Sequence, residues 1–245
     1  MAAGFVAGIM TSTVGVASLL SFPVLLAVGL PPVVANASNT IGMTPAGLTG
    51  SFGYRAELRE HPFVTATIIG TCALGAVGGA VLLLALPPGV FEAVVPWLIL
   101  GTCLLVGAQP RISRWLKKTT AAAPDERTRL SPATTFFSTL VGVYGGYFGA
   151  GSGVMMMAVL GFGSNLEFRI VNALKTLAIL ASNLVASVIF VFVAELDWVA
   201  IVLLASGSII GGYVGARIGR RLNPTVLRTL IVLVGVGAAV WMLTS

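Results

Sequence analysis

Charge is what this sequence has least of. Asp, Glu, Lys and Arg make up 9% of the 245 residues while 57% are hydrophobic, where a soluble domain carries about a quarter charged residues. So little charge cannot cover a water-facing surface, which excludes a soluble globular protein. The 14 Lys and Arg outnumber the 8 acids, but they fall between apolar spans rather than among aromatics on a wet face, so no nucleic-acid partner is expected. Both cysteines, Cys72 and Cys103, lie inside apolar runs and read as packing residues, with no disulfide framework. His61 is the single histidine, so no metal cluster can be assembled, and no metal or other cofactor is expected. Gly149-Ala150-Gly151-Ser152-Gly153-Val154 lacks the third glycine of a dinucleotide fingerprint, and no Gly-Lys-Ser/Thr run offers a P-loop. With no nucleophile and base to pair, an enzyme is not expected. Residues 1–30 hold no Lys or Arg, so the first segment lacks the basic region of a cleaved secretion signal and is expected to stay in the mature protein.

What remains is apolar length. Runs of about 18 residues or more recur along the chain, each able to cross a hydrocarbon core of about 30 Å as a helix. The chain also matches itself at a shift of 136 residues: Asn36, Ala37 and Thr40 fall on Asn172, Ala173 and Thr176, and Gly75, Gly79 and Ala80 on Gly211, Gly215 and Ala216. Leu86, Pro88, Val90 and Gly101 likewise meet Leu222, Pro224, Val226 and Gly237. A slightly larger shift lays Gly4, Gly8, Gly15 and Val16 on Gly142, Gly146, Gly153 and Val154. The expected organisation is a first membrane repeat over 1–108, a charged cytoplasmic linker over 109–133 and a second membrane repeat over 134–245. Each repeat is a Gly-rich segment (4–30 and 134–160) followed by three plainer helices, at 33–53, 63–86 and 90–108 and at 169–193, 198–219 and 224–243.

If every segment simply crossed, the cations would divide eight to five between the two faces, a poor fit to the positive-inside bias. If the two Gly-rich segments instead dip in and return, thirteen fall on one face and none on the other: Arg55, Arg59, the six linker cations, Arg169, Arg217, Arg220, Arg221 and Arg228. The second copy is then upside down relative to the first. The expected fold is therefore an all-α polytopic protein of the cytoplasmic membrane, multi-pass, built as two inverted repeats, each with a broken or re-entrant segment. That is the recurrent plan of secondary transporters, with substrate held near the midplane. Irregular backbone at that depth must be buried in protein or line a wet cavity, so the glycines point toward a site.

Of all the cations, Lys175 alone sits well inside an apolar span. A charge at depth is expensive and ordinarily faces a cavity or a partner, and no carboxylate shares its helix segment. Asn172 and Thr176 lie on the same helical face, with Asn183 farther along; Asn36, Asn39 and Thr40 are the first-copy counterparts, with Asn39 at the lysine's place. One positive charge among several donors suits a small oxyanion. The glycine reversal, with Gly149, Gly151, Ser152 and Gly153, would add the positive end of a short helix. The expected partners are thus a small anionic substrate and the lipid bilayer, and the sequence leaves an oligomer open. All eight acids fall in loops or near interfaces, so no protein carboxylate is placed to relay protons at the midplane. An inside-negative potential favours outward movement of a net negative charge by about 2.3 kcal/mol per 100 mV.

Gly142-Val143-Tyr144-Gly145-Gly146-Tyr147-Phe148-Gly149-Ala150-Gly151-Ser152-Gly153 resembles the second-repeat signature of the TauE/SafE family of sulfite and sulfonate exporters. Asn172-Ala173-Leu174-Lys175-Thr176 and Gly211-Gly212-Tyr213-Val214-Gly215-Ala216-Arg217 reinforce the resemblance, which covers nearly the whole chain. In the first copy, Thr11-Ser12-Thr13-Val14-Gly15-Val16 stands where many members have a glycine run. The resemblance implies export of sulfite, an organosulfonate or a related small carboxylate. An anion channel is the alternative from another class.

Overall fold

The computed structural model describes residues 1–13, 15–120, 130–218 and 224–244. Val14, Asp125, Glu126, Arg127, Arg129, Arg220, Arg221 and Ser245 lie outside the described residues, as do the side chains of Lys117, Lys118 and Arg217. Among the described residues there are eleven helices and no strand: α1 (Ala2–Thr13), α2 (Ser18–Ala27), α3 (Pro32–Gly53), α4 (Arg55–Glu60), α5 (Pro62–Ala85), α6 (Pro88–Thr120), α7 (Pro132–Tyr147), α8 (Ser152–Gly163), α9 (Phe168–Val193), α10 (Trp198–Ile218) and α11 (Pro224–Thr244). Five of them begin at a proline, whose fixed φ and missing N–H suit the first helical position. At α10, Asp197 Oδ1 accepts the Ala200 amide at 2.7 Å while its own amide donates to Ser38 Oγ at 3.0 Å, tying the helix start to α3. The helix α6 continues through Thr120, so the first part of the expected linker is helical.

Pro62–Ala85, Pro88–Ile112 and Phe168–Val193 are long and apolar enough to cross a membrane, with mean hydropathies of 2.2, 2.0 and 2.4. Large apolar side chains point outward, Phe192 at 83% and Leu104 at 77% exposure among them. The polar side chains Asn36, Ser38, Asn39, Thr40, Thr44, Lys175 and Thr176 are buried instead. This inside-out distribution is what lipid as the solvent demands, and the chain is a membrane protein.

Contacts between helices set their directions. Gly4 meets Leu204 and Gly8 meets Ser208 and Gly212, so α1 runs parallel to α10; Gly42 meets Leu204 and Gly212 meets Ala46, so α3 does too. Because α1 and α3 point the same way, the chain between them must turn back, and α2 is the returning arm. The same holds for α7 and α8: Ser138 Oγ reaches Met156 Sδ at 3.8 Å and Thr134 Oγ1 donates to the Gly163 carbonyl at 3.1 Å, an antiparallel hairpin. The neighbours of the two copies are exchanged pair for pair, α1 lying on α10 and its counterpart α7 on α5, the counterpart of α10. Facing glycines in both seams let backbones touch. The counterparts α3 and α9 pack antiparallel, since Thr44 meets Ser187, Gly47 meets Leu180 and Gly50 meets Thr176. So do α6 and α11, where Cys103 faces the Val232 carbonyl and Gln109 faces Arg228.

One detail of the self-match is corrected. Gly15 and Gly149 both have positive φ, +80° and +76°. Both donate their amide to the carbonyl five residues back, Met10 at 2.8 Å and Tyr144 at 2.9 Å. The second arms start at Ser18 and Ser152. The hairpins therefore correspond at a shift of 134, one helical turn from the pairing of Gly15 with Gly153 that glycine matching alone suggests. Matching by residue type followed the glycines, whereas backbone geometry follows the break.

Candidate functional site

The two breaks meet near the middle of α3 and α9. A small cavity there is lined by Gly15, Val16, Ala17 and Ser18 from the first break and Gly149, Gly151 and Ser152 from the second, with Met43 of α3 and Ile179 and Asn183 of α9 around it. Met43 and Ile179 are counterparts at the shift of 136, so the cavity draws equivalent positions from both copies. Its volume is about 20 Å³, room for about one water.

Three positive groups border this cavity. The helices α2 and α8 begin at Ser18 and Ser152, both on its wall, and helix N-termini carry partial positive charge. The third is Lys175, 1% exposed. A methyl group placed on Gly15 would stand 3.3 Å from its Nζ, and one on Gly153 would stand 3.3 Å from its Cγ and 3.1 Å from the Gly15 carbonyl oxygen. The bare backbones at Gly153 and Gly15 thus let the lysine stem pass and bring its ammonium against the first break. Its amide partner is Asn172, whose Oδ1 accepts from Nζ at 2.7 Å while its Nδ2 donates to the Tyr54 hydroxyl at 2.8 Å. Among the described residues Lys175 has no carboxylate partner.

The sequence-predicted residues separate into groups. Gly149, Gly151, Ser152 and Asn183 line the cavity, and Lys175, Gly153 and Asn172 border it through Gly15. Thr176 directs its hydroxyl to the Asn172 carbonyl at 3.0 Å. Asn36, Asn39 and Thr40 lie at the opposite pole of the antiparallel α3–α9 pair. There Asn36 Nδ2 donates to the Tyr147 carbonyl at 2.9 Å and Thr40 Oγ1 to the Asn36 carbonyl at 2.9 Å. On Asn36 the amide oxygen remains free, and on Asn39 the amide oxygen is buried without a partner.

Residues that sequence reasoning missed hold the second break in place. Thr102 of α6 donates to the Ala150 carbonyl at 3.1 Å and bonds the Tyr144 hydroxyl at 2.9 Å, and Tyr144 also donates to Ala150 at 2.6 Å. Tyr54 ties Asn172 to the C-terminal end of α3. Beyond it, Arg169 holds Glu60 of α4 through two contacts of 2.5 and 2.7 Å and Glu167 at 2.6 Å. The Arg169 guanidinium keeps the exposed Glu60 carboxyl below its ordinary pKa of 4.5.

The family described as "Sulfite exporter TauE/SafE" matches the chain over residues 1–242. A probable membrane transporter protein, ORF9, of Sinorhizobium sp. is 28% identical over 99% of this chain and 90% of its own length. A probable membrane transporter protein of Haemophilus influenzae is 27% identical over 94% of this chain and 88% of its own. YfcA of Escherichia coli, also described as a probable membrane transporter protein, is 22% identical over 93% and 82%. No solved structure matches the chain.

Proposed function

Because the chain belongs to the sulfite exporter TauE/SafE family and is a membrane transporter, we propose that it exports a small anion, sulfite or an organosulfonate, across the cytoplasmic membrane by alternating access. The observation that carries this reading is Lys175: an ammonium buried about two turns into α9, with an amide as its partner and no carboxylate among the described residues to neutralise it. A buried charge in a membrane helix is costly, and a bound anion would offset that cost. Two helix N-termini aimed into the same cavity add positive potential without adding bulk.

A cavity with room for about one water between the two breaks fits an occluded step of alternating access. The exchanged neighbours and antiparallel counterparts support two inverted repeats, with the hairpins α1–α2 and α7–α8 entering from opposite faces. In this arrangement 1–108 and 134–245 are the two repeats, and the cation-rich end, with Arg55, Arg59, Arg111, Arg114, Arg169 and Arg228, faces the cytoplasm. The substrate comes from the family description, and sulfite and sulfonates share what the cavity offers: a single cation and amide donors for a small oxyanion.

The test is Lys175→Met in purified protein, with a binding panel of sulfite, sulfate, sulfonates and small carboxylates. Charge-assisted hydrogen bonds contribute about 1.5–3 kcal/mol, so affinity for the best anion is expected to fall about 10- to 100-fold while the protein remains folded in the membrane. Unchanged affinity would mean that the lysine is not the anion's partner.

A further inference from the structure

Each hairpin's first arm ends in a broken helix, and a helix C-terminus carries about half a negative charge. At the end of α1 that charge meets the Lys175 ammonium, seated against Gly15 and accepted by Asn172 Oδ1. The end of α7 is the repeat counterpart, and there Asn36 stands for Asn172 and Asn39 for Lys175. Asn36 is held at that helix end by its own amide, which donates to the Tyr147 carbonyl. Its Oδ1 is the counterpart of the atom that receives the lysine ammonium, and it is buried without a partner. Asn39 Oδ1 is buried and unpartnered as well, and both residues are 1% exposed. An amide oxygen stranded in a low-dielectric interior loses roughly 1–3 kcal/mol, and here two sit three residues apart on one helical face, the first of them at a negative helix end.

We infer that Asn36 and Asn39 bind a monovalent alkali cation at the C-terminal end of α7, in the place where the second repeat carries the Lys175 ammonium. On Asn36 the donor is committed to Tyr147, so the free atom beside this helix end is an acceptor, which favours a cation there. The ligands are neutral and no acid lies in α3 or α7, so one positive charge is matched and two would be uncompensated. Half-helix C-termini and unwound carbonyls are the groups that hold such ions in transporters with inverted repeats. Asn39 is one helical turn from Met43, as Lys175 is from Ile179, and both of those line the cavity. The cavity thus lies between a fixed cation at one pole and an exchangeable one at the other. With a divalent oxyanion and one alkali ion bound, one net negative charge remains.

The test is thermal unfolding of the purified full chain in sodium, potassium and choline chloride at equal ionic strength, with no transported anion added. Its outcome is therefore separate from that of the Lys175 experiment. Sodium or potassium is expected to raise the Tm saturably over choline, by about 3–6 °C at ten times the Kd. Asn39→Ala is expected to abolish the difference. Asn39→Lys, which supplies a tethered ammonium, is expected to unfold in choline at the cation-loaded temperature and to gain nothing from either salt. Identical Tm values for the wild type in all three salts would overturn the inference, as would a full alkali response in Asn39→Ala. If Asn39→Lys does not fold, the wild type and Asn39→Ala still decide.

Discussion

Gly149 holds the turn of the second hairpin because its backbone lies at φ +76°, where an L side chain costs about 1–2 kcal/mol. A methyl group there would also sit 3.0 Å from the Gly145 carbonyl oxygen, a tight backbone contact that adds to the conformational penalty of Gly149→Ala. The expected outcome is a loss of at least about that size in unfolding free energy. The control is Gly78→Ala, in mid-helix with nothing within 4 Å, which should be neutral or stabilising because alanine is the better helix former. At the lysine, Asn172→Ala removes one neutral partner worth about 1 kcal/mol, and anion binding should weaken roughly fivefold in the same panel as Lys175→Met. Lys175 was legible in the sequence because burying a lone charge in an apolar span is costly enough to demand a reason. Thr102 was not: a threonine in an apolar helix ordinarily bonds back to its own helix, as Thr102 also does to the Leu98 carbonyl at 2.8 Å, and its second bond to Ala150 exists across tertiary space.

Among the elements, the short helix α4 is the most weakly held, with no buried residue of its own. Its Glu60 bridges to Arg169 at the start of α9, three residues before Asn172. Because the folded-state pKa of Glu60 is depressed, the stabilisation is present above the ordinary value of 4.5 and is lost as pH falls through the lower folded value. Amide exchange in α4 is therefore expected to quicken as pH is taken below about 4.5, after correction for the intrinsic pH dependence of exchange, and Glu60→Gln should show the faster exchange already at neutral pH. A rate in Glu60→Gln equal to that of the wild type at neutral pH would show that the bridge does not hold α4. The longer helices were legible from apolar length. Their breaks were legible as glycine clusters, but the register between the two hairpins was not, since a residue-type match cannot tell a packing glycine from a turning one.

For the whole molecule, the proposed topology makes a directional prediction. Single cysteines at Ala2 and Ser245 should react with a membrane-impermeant thiol reagent in intact cells, while a cysteine in the 121–129 stretch should react after permeabilisation. Protection of both termini, with labelling of the linker in intact cells, would reverse the assignment. Thirteen cations assigned to one face, and helix directions that bring the described ones to one end of the bundle, support this orientation.

The membrane class, the long apolar segments and the anomalous lysine were legible in the sequence alone. Each is a property of composition or local order, and lipid enforces such properties residue by residue through the cost of exposed polar groups. Only the tertiary structure decided what the polar residues of α3 and α9 do. In sequence, Asn36 and Asn172 look like equal members of one anion pocket. In space, the antiparallel packing of α3 against α9 sends them to opposite poles, one accepting from a lysine and one donating to the Tyr147 carbonyl at the end of α7. That difference depends on which backbone each side chain faces, and a linear sequence does not encode it at any single position.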